Sequence, residues 1–308
     1  MSPVGDNLTT EQRQPGLADL DLRSTIDLVR LVNEQDALVP AAVARSTQEI
    51  AAVVDAVTAR MRSGGRLVYL GAGAAGWVAA ADAFECRQTY GCSGAEVVAI
   101  VAGPGPDALQ RGWWEDSPGA EDDRDAAERD LAAIELGEHD SLVVVSASGQ
   151  TPYALAAAGA ARRRRALAVG VTANTATPLA QLVDHTIEVV VGPEIVAGST
   201  RMKAATAQKL VLHTLSTLVM VRTGRTYGDL MVGIRPDNAK LRGRAIRIVV
   251  EATGADEQSA TAALGDAAGD ARIAIVSLVA RTDAEEARRR LERSAWRVRD
   301  ALGDGRGV

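Results

Sequence analysis

Apolar residues in this chain gather into short dense runs separated by amphipathic or alanine-rich stretches. The runs cover residues 67–70, 97–101, 141–146, 167–171 and 186–191. They are rich in valine, isoleucine and leucine, as strands buried on both faces of a parallel sheet would be. Between them the period turns helical. Val43, Ile50, Val53, Val54, Val57 and Met61 recur at helical spacing and predict one helix over 40–63, ended by Gly64-Gly65. Ser24 or Thr25 can cap an earlier helix running to about Val32. Alanine-rich stretches predict helices over 77–84 and 152–162, and Pro152 suits a first turn. Acidic residues after Gly119 open a helix to about Leu136. A short helix fits 178–182. The longest helix is expected over 198–223, with Ser199 and Thr200 as N-cap candidates. From about Ala245 the pattern is helical and charged, with segments near 255–268, 271–278 and 284–302, punctuated by Gly254 and Gly265. Residues 1–21 are polar with little periodicity and read as an extended arm, ordered against another part of the protein.

Strands alternating with helices predict an α/β fold built on a parallel sheet with right-handed crossovers. Ligands of such sheets gather at the C-terminal ends of the strands. Two turns lie at that edge. The first follows Arg66-Leu-Val-Tyr-Leu-Gly-Ala-Gly-Ala-Ala-Gly76, a strand and glycine-rich turn leading into a helix expected to start at Trp77. Its glycines bring backbone close to a ligand, and the helix start favours an anion. The spacing also matches a dinucleotide fingerprint, but no Asp or Glu ends the second strand near Val101. A sugar phosphate or other small anion suits the turn better than a nicotinamide dinucleotide; a tight turn without ligand is the alternative. The second turn, Ala147-Ser-Gly-Gln-Thr-Pro-Tyr153, adds the hydroxyls of Ser148 and Thr151, fit either for N-capping or for an anion cradle.

Length, at 308 residues, suits one large domain or two modest ones. A net charge of −6 and the lack of a basic face argue against nucleic acid as a partner. Arg162 to Arg165 end an alanine-rich stretch, where cations favour a helix C-terminus. Cys86 and Cys92 are the only cysteines and form neither a metal-ligand pair nor a disulfide framework. No signal peptide is recognisable and no apolar run suits a bilayer span, so a cytoplasmic location, no membrane partner and reduced thiols are expected. His139, His185 and His213 are scattered and read as structural or surface residues. Trp113 and Trp114 are expected to pack on their loop or on a partner subunit.

Several stretches together resemble the N-acetylmuramic acid 6-phosphate etherases, a branch of the sugar isomerase (SIS) fold that also contains the glucokinase regulatory protein. They are residues 8–15, 64–91, 119–122, 147–153, 192–212 and 230–244. Gly198-Ser-Thr-Arg-Met-Lys-Ala with Ala207-Gln-Lys-Leu-Val-Leu212 is the most specific. The resemblance implies a three-layer αβα sandwich over 46–244, an N-terminal arm and helix over 1–45, and a small helical domain over 245–308. It implies removal of the D-lactyl ether of N-acetylmuramic acid 6-phosphate, with no metal or cofactor. The catalytic pair falls on Glu85, as proton donor to the leaving lactate, and Glu121, as partner acid/base at C2. Taken singly, Glu85 also reads as a solvated helix end and Glu121 as a first-turn acid. Gly73, Ser148, Thr151, Ser199, Thr200, Asn238, Lys240 and Arg244 are the implied sugar-phosphate contacts.

The chain departs from the family pattern. Ala74-Ala75 replace Thr-Ser, Trp77 and Gln150 replace arginines, Ala205 replaces glycine and His213 asparagine, while Asp229 and Gly233 stand for asparagine and aspartate. Lost hydroxyls and guanidiniums thin the anion site. Two other functions therefore stay open: a non-catalytic sugar-phosphate sensor, and an etherase-like enzyme with a changed substrate. A helix from Trp77 puts Glu85 roughly 13 Å past the glycine turn at helical rise. One sugar ring does not bridge that gap, so a homodimer with shared active sites is expected.

Overall fold

A computed structural model describes residues 8–106, 118–234, 236 and 238–303. Trp113 and Trp114 lie outside the described residues. The chain forms two compact units, one from Met1–Phe84 with Glu96–Ser216, the other from Glu85–Ala95 with Thr217–Val308.

The first unit is built on five parallel strands: β1 (Leu67–Gly71), β2 (Val97–Val101), β3 (Ser141–Val145), β4 (Leu167–Thr172) and β5 (His185–Glu188). Their order is β2-β1-β3-β4-β5. β1, β3 and β4 are buried at every position, which is why they read as unbroken apolar runs. Val68, Leu70, Leu142, Val144 and Ala168 face one layer, where they pack with Ala127, Leu131, Tyr153 and Ala157. That layer holds α5 (Arg124–Ala133) and α6 (Pro152–Arg163). Tyr153 ties the two helices, donating to Asp130 Oδ2 at 2.6 Å. Burial raises the pKa of Asp130, and burial with that bond raises the pKa of Tyr153 far above its ordinary value. α3 (Thr47–Arg62) packs against β4 and β5. The parallel sheet with its helical layers is the α/β fold expected from the alternating pattern, in the sandwich form that the resemblance implied.

Preceding α3 are α1 (Thr25–Asp36) and α2 (Val39–Ala44). The single helix expected over 40–63 is thus two. The chain leaves helical geometry at Ser46, whose hydroxyl donates to Glu188 O of β5 at 2.9 Å. α1 is longer than expected and Ser24 caps it, accepting from Asp27 N–H. The short helix near 178–182 is a 3-10 turn, Leu179–Gln181. The arginine run ends α6 as a paired surface: Arg163 and Arg164 meet Glu128, and Arg165 meets Glu138 at 2.9 Å.

Two long helices begin in the first unit and end in the second, α4 (Gly73–Tyr90) and α7 (Lys203–Arg222). By length and composition α7 could cross a membrane, contrary to the expectation that no stretch suits a span. It is a core helix here, with Ala204, Val211, Leu212, Leu215, Val219 and Met220 all buried.

The second unit is helical: α8 (Ala239–Thr253), α9 (Glu257–Asp266), α10 (Ala271–Ala280), α11 (Ala284–Arg293) and α12 (Val298–Ala301). Ile248, Val249, Leu264, Ile273, Val276 and Leu291 form its core. α8 starts six residues earlier than expected, because Asn238 caps it, accepting from Leu241 N–H at 2.9 Å. Gly254 ends it in left-handed geometry, φ +70. The helix expected over 284–302 is broken by Ala295 and Trp296, both at positive φ. The guanidinium of Arg272 lies 4.5 Å from the Trp296 ring centre and holds the break in place.

Candidate active site

In the first unit the glycine turn and the serine turn follow adjacent strands, β1 and β3, at the C-terminal edge of the sheet. β2 and β3 lie on either side of β1, so the strand order reverses between β1 and β3. That is where α/β sheets open a crevice for ligands. Gly71 and Val145 are register partners at its two lips, so the glycine and serine turns are neighbours.

The glycine turn is tighter than its sequence suggested. α4 starts at Gly73, not at Trp77. Gly73 takes φ +53, which turns the chain from strand to helix within two residues. A Cβ on Gly76 would stand 2.7 Å from Gly71 O, and one on Gly71 2.8 Å from Gly76 N. Those two glycines serve the close approach of helix to strand. Over Gly73, by contrast, a Cβ meets nothing within 4 Å. Its backbone is therefore open to a ligand, beside the first-turn N–H groups of α4 that lack intrahelical acceptors.

In the serine turn, Ser146 organises the hydroxyls. It is within 2.9 Å of Thr151 Oγ1 and 3.5 Å of Ser148 Oγ, and accepts from Gly149 N–H. Ser148 accepts from Gln150 N–H at 3.2 Å. Thr151 occupies the N-cap position of α6 without a side-chain cap bond, so simple N-capping does not account for its hydroxyl. Gly149 has φ +65, and a Cβ there would collide with Thr177 at 2.5 Å. The 3-10 turn Ala120–Asp122 packs against α6 and presents Glu121 as an exposed side chain. Glu121 lies before the helix rather than in its first turn; Asp123 is the cap, accepting from Ala126 N–H at 2.9 Å.

Ser199 and Thr200 lie in the turn preceding α7, not at its cap. The cap is Glu194, fully buried, which accepts from Lys203 N–H at 3.1 Å and Ala204 N–H at 2.9 Å. Lys203 is itself buried and donates from Nζ to Gln35 Oε1 at 2.9 Å. Burial lowers its pKa, against the attraction of Glu194 and Asp36. His213 Nδ1 lies 3.3 Å from Asp82 Oδ1, the same buried oxygen to which Ser216 Oγ donates at 3.0 Å. This accords with a structural role for the histidine.

The other candidates belong to the second unit. Glu85 is an exposed side chain on α4. Asn238 caps α8, Lys240 is exposed in its first turn, and Arg244 is half-buried with Nη1 3.9 Å from Met231 Sδ. Among the described residues, no three His, Cys, Asp or Glu side chains cluster as metal ligands.

The arm supplies residues that sequence reasoning missed. Thr9 and Thr10 donate their N–H groups to Asn174 Oδ1, at 2.7 and 3.4 Å. Asn174 Nδ2 donates to Thr10 Oγ1 and to Ala147 O of the serine turn. The sequence offered an arm ordered against another part of the protein, but not its partner, an Asn just past the end of β4.

The five-stranded parallel sheet and its flanking helices place the chain among α/β domains, and residues 123–218 match the SIS domain. Full-length comparison narrows this. The chain is 51% identical, over 97% of both sequences, to the N-acetylmuramic acid 6-phosphate etherase of Rubrobacter xylanophilus. It is 48% identical to that of Streptomyces avermitilis over 96% of this chain and 94% of the relative, and 44% to that of Aeromonas hydrophila over 94% and 95%. The chain belongs to the N-acetylmuramic acid 6-phosphate etherase family.

Proposed function

We infer that this protein removes the D-lactyl ether from C3 of N-acetylmuramic acid 6-phosphate, releasing N-acetylglucosamine 6-phosphate and D-lactate. The near-full-length identity to etherases carries the reading. Opening of the sugar ring gives the C1 aldehyde, which makes the C2 proton acidic. Glu121 takes that proton, the electron pair forms a C2–C3 double bond, and the C3–O bond breaks. Glu85 protonates the departing lactyl oxygen. Water then adds across the double bond, restoring a hydroxyl at C3. Two carboxyl groups in opposite protonation states suit this sequence.

Sugar-phosphate binding is assigned to residues 46–244, through Gly73, Ser148, Thr151, Ser199, Thr200, Asn238, Lys240 and Arg244. The open backbone at Gly73 and the serine-turn hydroxyls support that assignment for the phosphate. The protein works as a homodimer with shared sites. Counted from its observed start, α4 carries Glu85 twelve residues, about 18 Å, beyond Gly73. A helix without a single buried residue, α1, supports association: Ile26 and Val29 on it, and Leu22 just before it, are 55, 58 and 81% exposed. Its setting is cytoplasmic recycling of cell-wall sugars.

Incubation with N-acetylmuramic acid 6-phosphate and an assay for D-lactate test the reading, with Glu85→Gln as control. Lactate from the wild type alone is the expected result. Tight binding of the sugar phosphate without lactate would instead favour a sensor, which the replacements Ala74, Ala75, Trp77 and Gln150 would suit.

A further inference from the structure

The N-terminal arm is fastened to the serine turn and passes beside the turn at Gly198, two loops assigned to sugar-phosphate binding. Thr10 is fully buried. Asn174, also buried, uses its whole amide on this junction: the oxygen takes the N–H groups of Thr9 and Thr10, and the nitrogen bonds Thr10 Oγ1 at 3.1 Å and Ala147 O at 2.9 Å. The arm is thereby locked to the serine turn through a satisfied buried network, the kind of contact that fixes one geometry. It then makes a single 3-10 turn, Thr9–Glu11, closed by Glu11 N–H to Leu8 O at 3.0 Å. The next side chain along reaches the other loop. Glu11 is exposed, and its Oε2 would stand 3.4 Å from a Cβ placed on Gly198, the residue before Ser199 and Thr200.

We propose that Glu11 is a specificity-determining residue of the sugar-phosphate site, held there by Asn174 and accepting hydrogen bonds from O–H or N–H groups of the sugar. The inference rests on the etherase reading for its substrate. The chemistry follows from charge. A carboxylate only accepts, so it cannot serve a phosphate or a lactyl carboxylate, and it repels both. It matches the neutral donor groups of an amino sugar, the hydroxyls and the acetamido N–H. An anion cradle at the glycine and serine turns with a carboxylate on the rim therefore gives the substrate one orientation: phosphate inward to the turns, donor groups toward the arm. Such a residue acts by binding, since it removes no proton and protonates no leaving group.

The test uses Glu11→Gln, Asn174→Ala and the double variant in the full chain. Each is assayed for D-lactate release, for binding of N-acetylglucosamine 6-phosphate, and for binding of inorganic phosphate. Glu11→Gln should raise KM and the sugar-phosphate Kd about tenfold, with kcat within about twofold. Phosphate binding should be unchanged or tighter, because a like charge is gone. Asn174→Ala should reproduce the sugar-phosphate defect, and the double variant should be no worse than the single ones, since both break one contact. Glu11 is exposed, so Glu11→Gln should melt with the wild type. Unchanged KM and Kd in Glu11→Gln, or equal loss of sugar phosphate and inorganic phosphate, overturns the proposal. If the wild type releases no lactate but binds the sugar phosphate, the etherase reading fails while the binding arms still decide on Glu11. If it binds none, both fail.

Discussion

Glu85 and Glu121 are exposed side chains, so a glutamine of the same shape at either position leaves the fold intact. General acid or base catalysis by a positioned carboxyl contributes about 10²- to 10⁴-fold. Each Gln variant is expected to lose kcat by that order while keeping its melting temperature and its affinity for the product. A fall in melting temperature alongside activity would point to a structural role instead. Asp140 is the opposite kind of residue. It is buried, and its carboxylate accepts from Arg66 Nη2 at 2.6 Å, from Arg66 Nε and backbone N–H at 3.0 Å each, and from Gly137 N–H at 3.0 Å. Burial alone would raise its pKa; the Arg66 guanidinium and the two N–H groups outweigh that and hold it below the ordinary value. A depressed carboxylate pKa stabilises the fold at pH above the unfolded value, about 3.9, and that stability is lost as pH falls through the lower folded value. Asp140→Asn should cost about 2–3 kcal/mol at pH 7, since solvent reaches part of Arg66. Urea unfolding at descending pH should show the gap from wild type closing below about pH 4. Residues of these two kinds differ in legibility. The glutamates were identifiable only through the family resemblance, because an exposed acid near a helix end carries no signal of its own. The Thr10–Asn174 contact spans 164 positions, and no local pattern announces it.

At the scale of elements, the start of α4 separates two roles for glycine. Gly76→Ala would drive a Cβ to 2.7 Å from Gly71 O and 3.0 Å from Val101 Cγ1. Neither backbone nor β2 can yield easily, so a loss of about 2 kcal/mol is expected, read as a lower urea midpoint. Gly73→Ala meets open space and carries only the penalty of left-handed geometry, about 1 kcal/mol. It does, however, put a methyl group over the turn assigned to the phosphate. Its sugar-phosphate Kd should rise more than tenfold while the fold survives. A Gly73→Ala variant that binds normally would remove Gly73 from the site. The strands were legible because burial on both faces leaves a pattern that no other element shares at that length. β2 falls where the apolar run places it, and β1, β3 and β4 differ by one residue at an end. Several helix ends were less legible because distant groups set them. Ser46 bonds to β5, Glu194 caps α7 from nine residues upstream, and Arg272 stacks on the break at Trp296. A propensity pattern holds the interior of a helix but does not know where its orphan N–H groups will find acceptors.

At the scale of the whole molecule, the proposed mechanism asks two carboxyl groups from separate stretches to serve one small sugar. α4 is continuous from Gly73 through Glu85, so the distance along it is fixed by helical rise and cannot be shortened by a flexible loop. The proposed sharing between copies would resolve this, and it makes a quantitative demand. Suppose one site takes Glu85 from one copy and Glu121 from its partner. Mixing Glu85→Gln with Glu121→Gln subunits then yields heterodimers in which one site has lost both glutamates and the other has kept both. Half the dimers are mixed, and half their sites work, so random exchange should restore roughly a quarter of wild-type activity from two inactive proteins. Sites built within single chains would restore none. The exposed apolar positions Ile26 and Val29 give an independent handle. Ile26→Glu with Val29→Glu should shift the protein from dimer to monomer in sedimentation, because charges on a contact face are costly to bury. Lactate release should fall with the dimer fraction and recover at high protein concentration. A monomer that retains full activity would show that each chain completes its own site, whatever its surface does in solution.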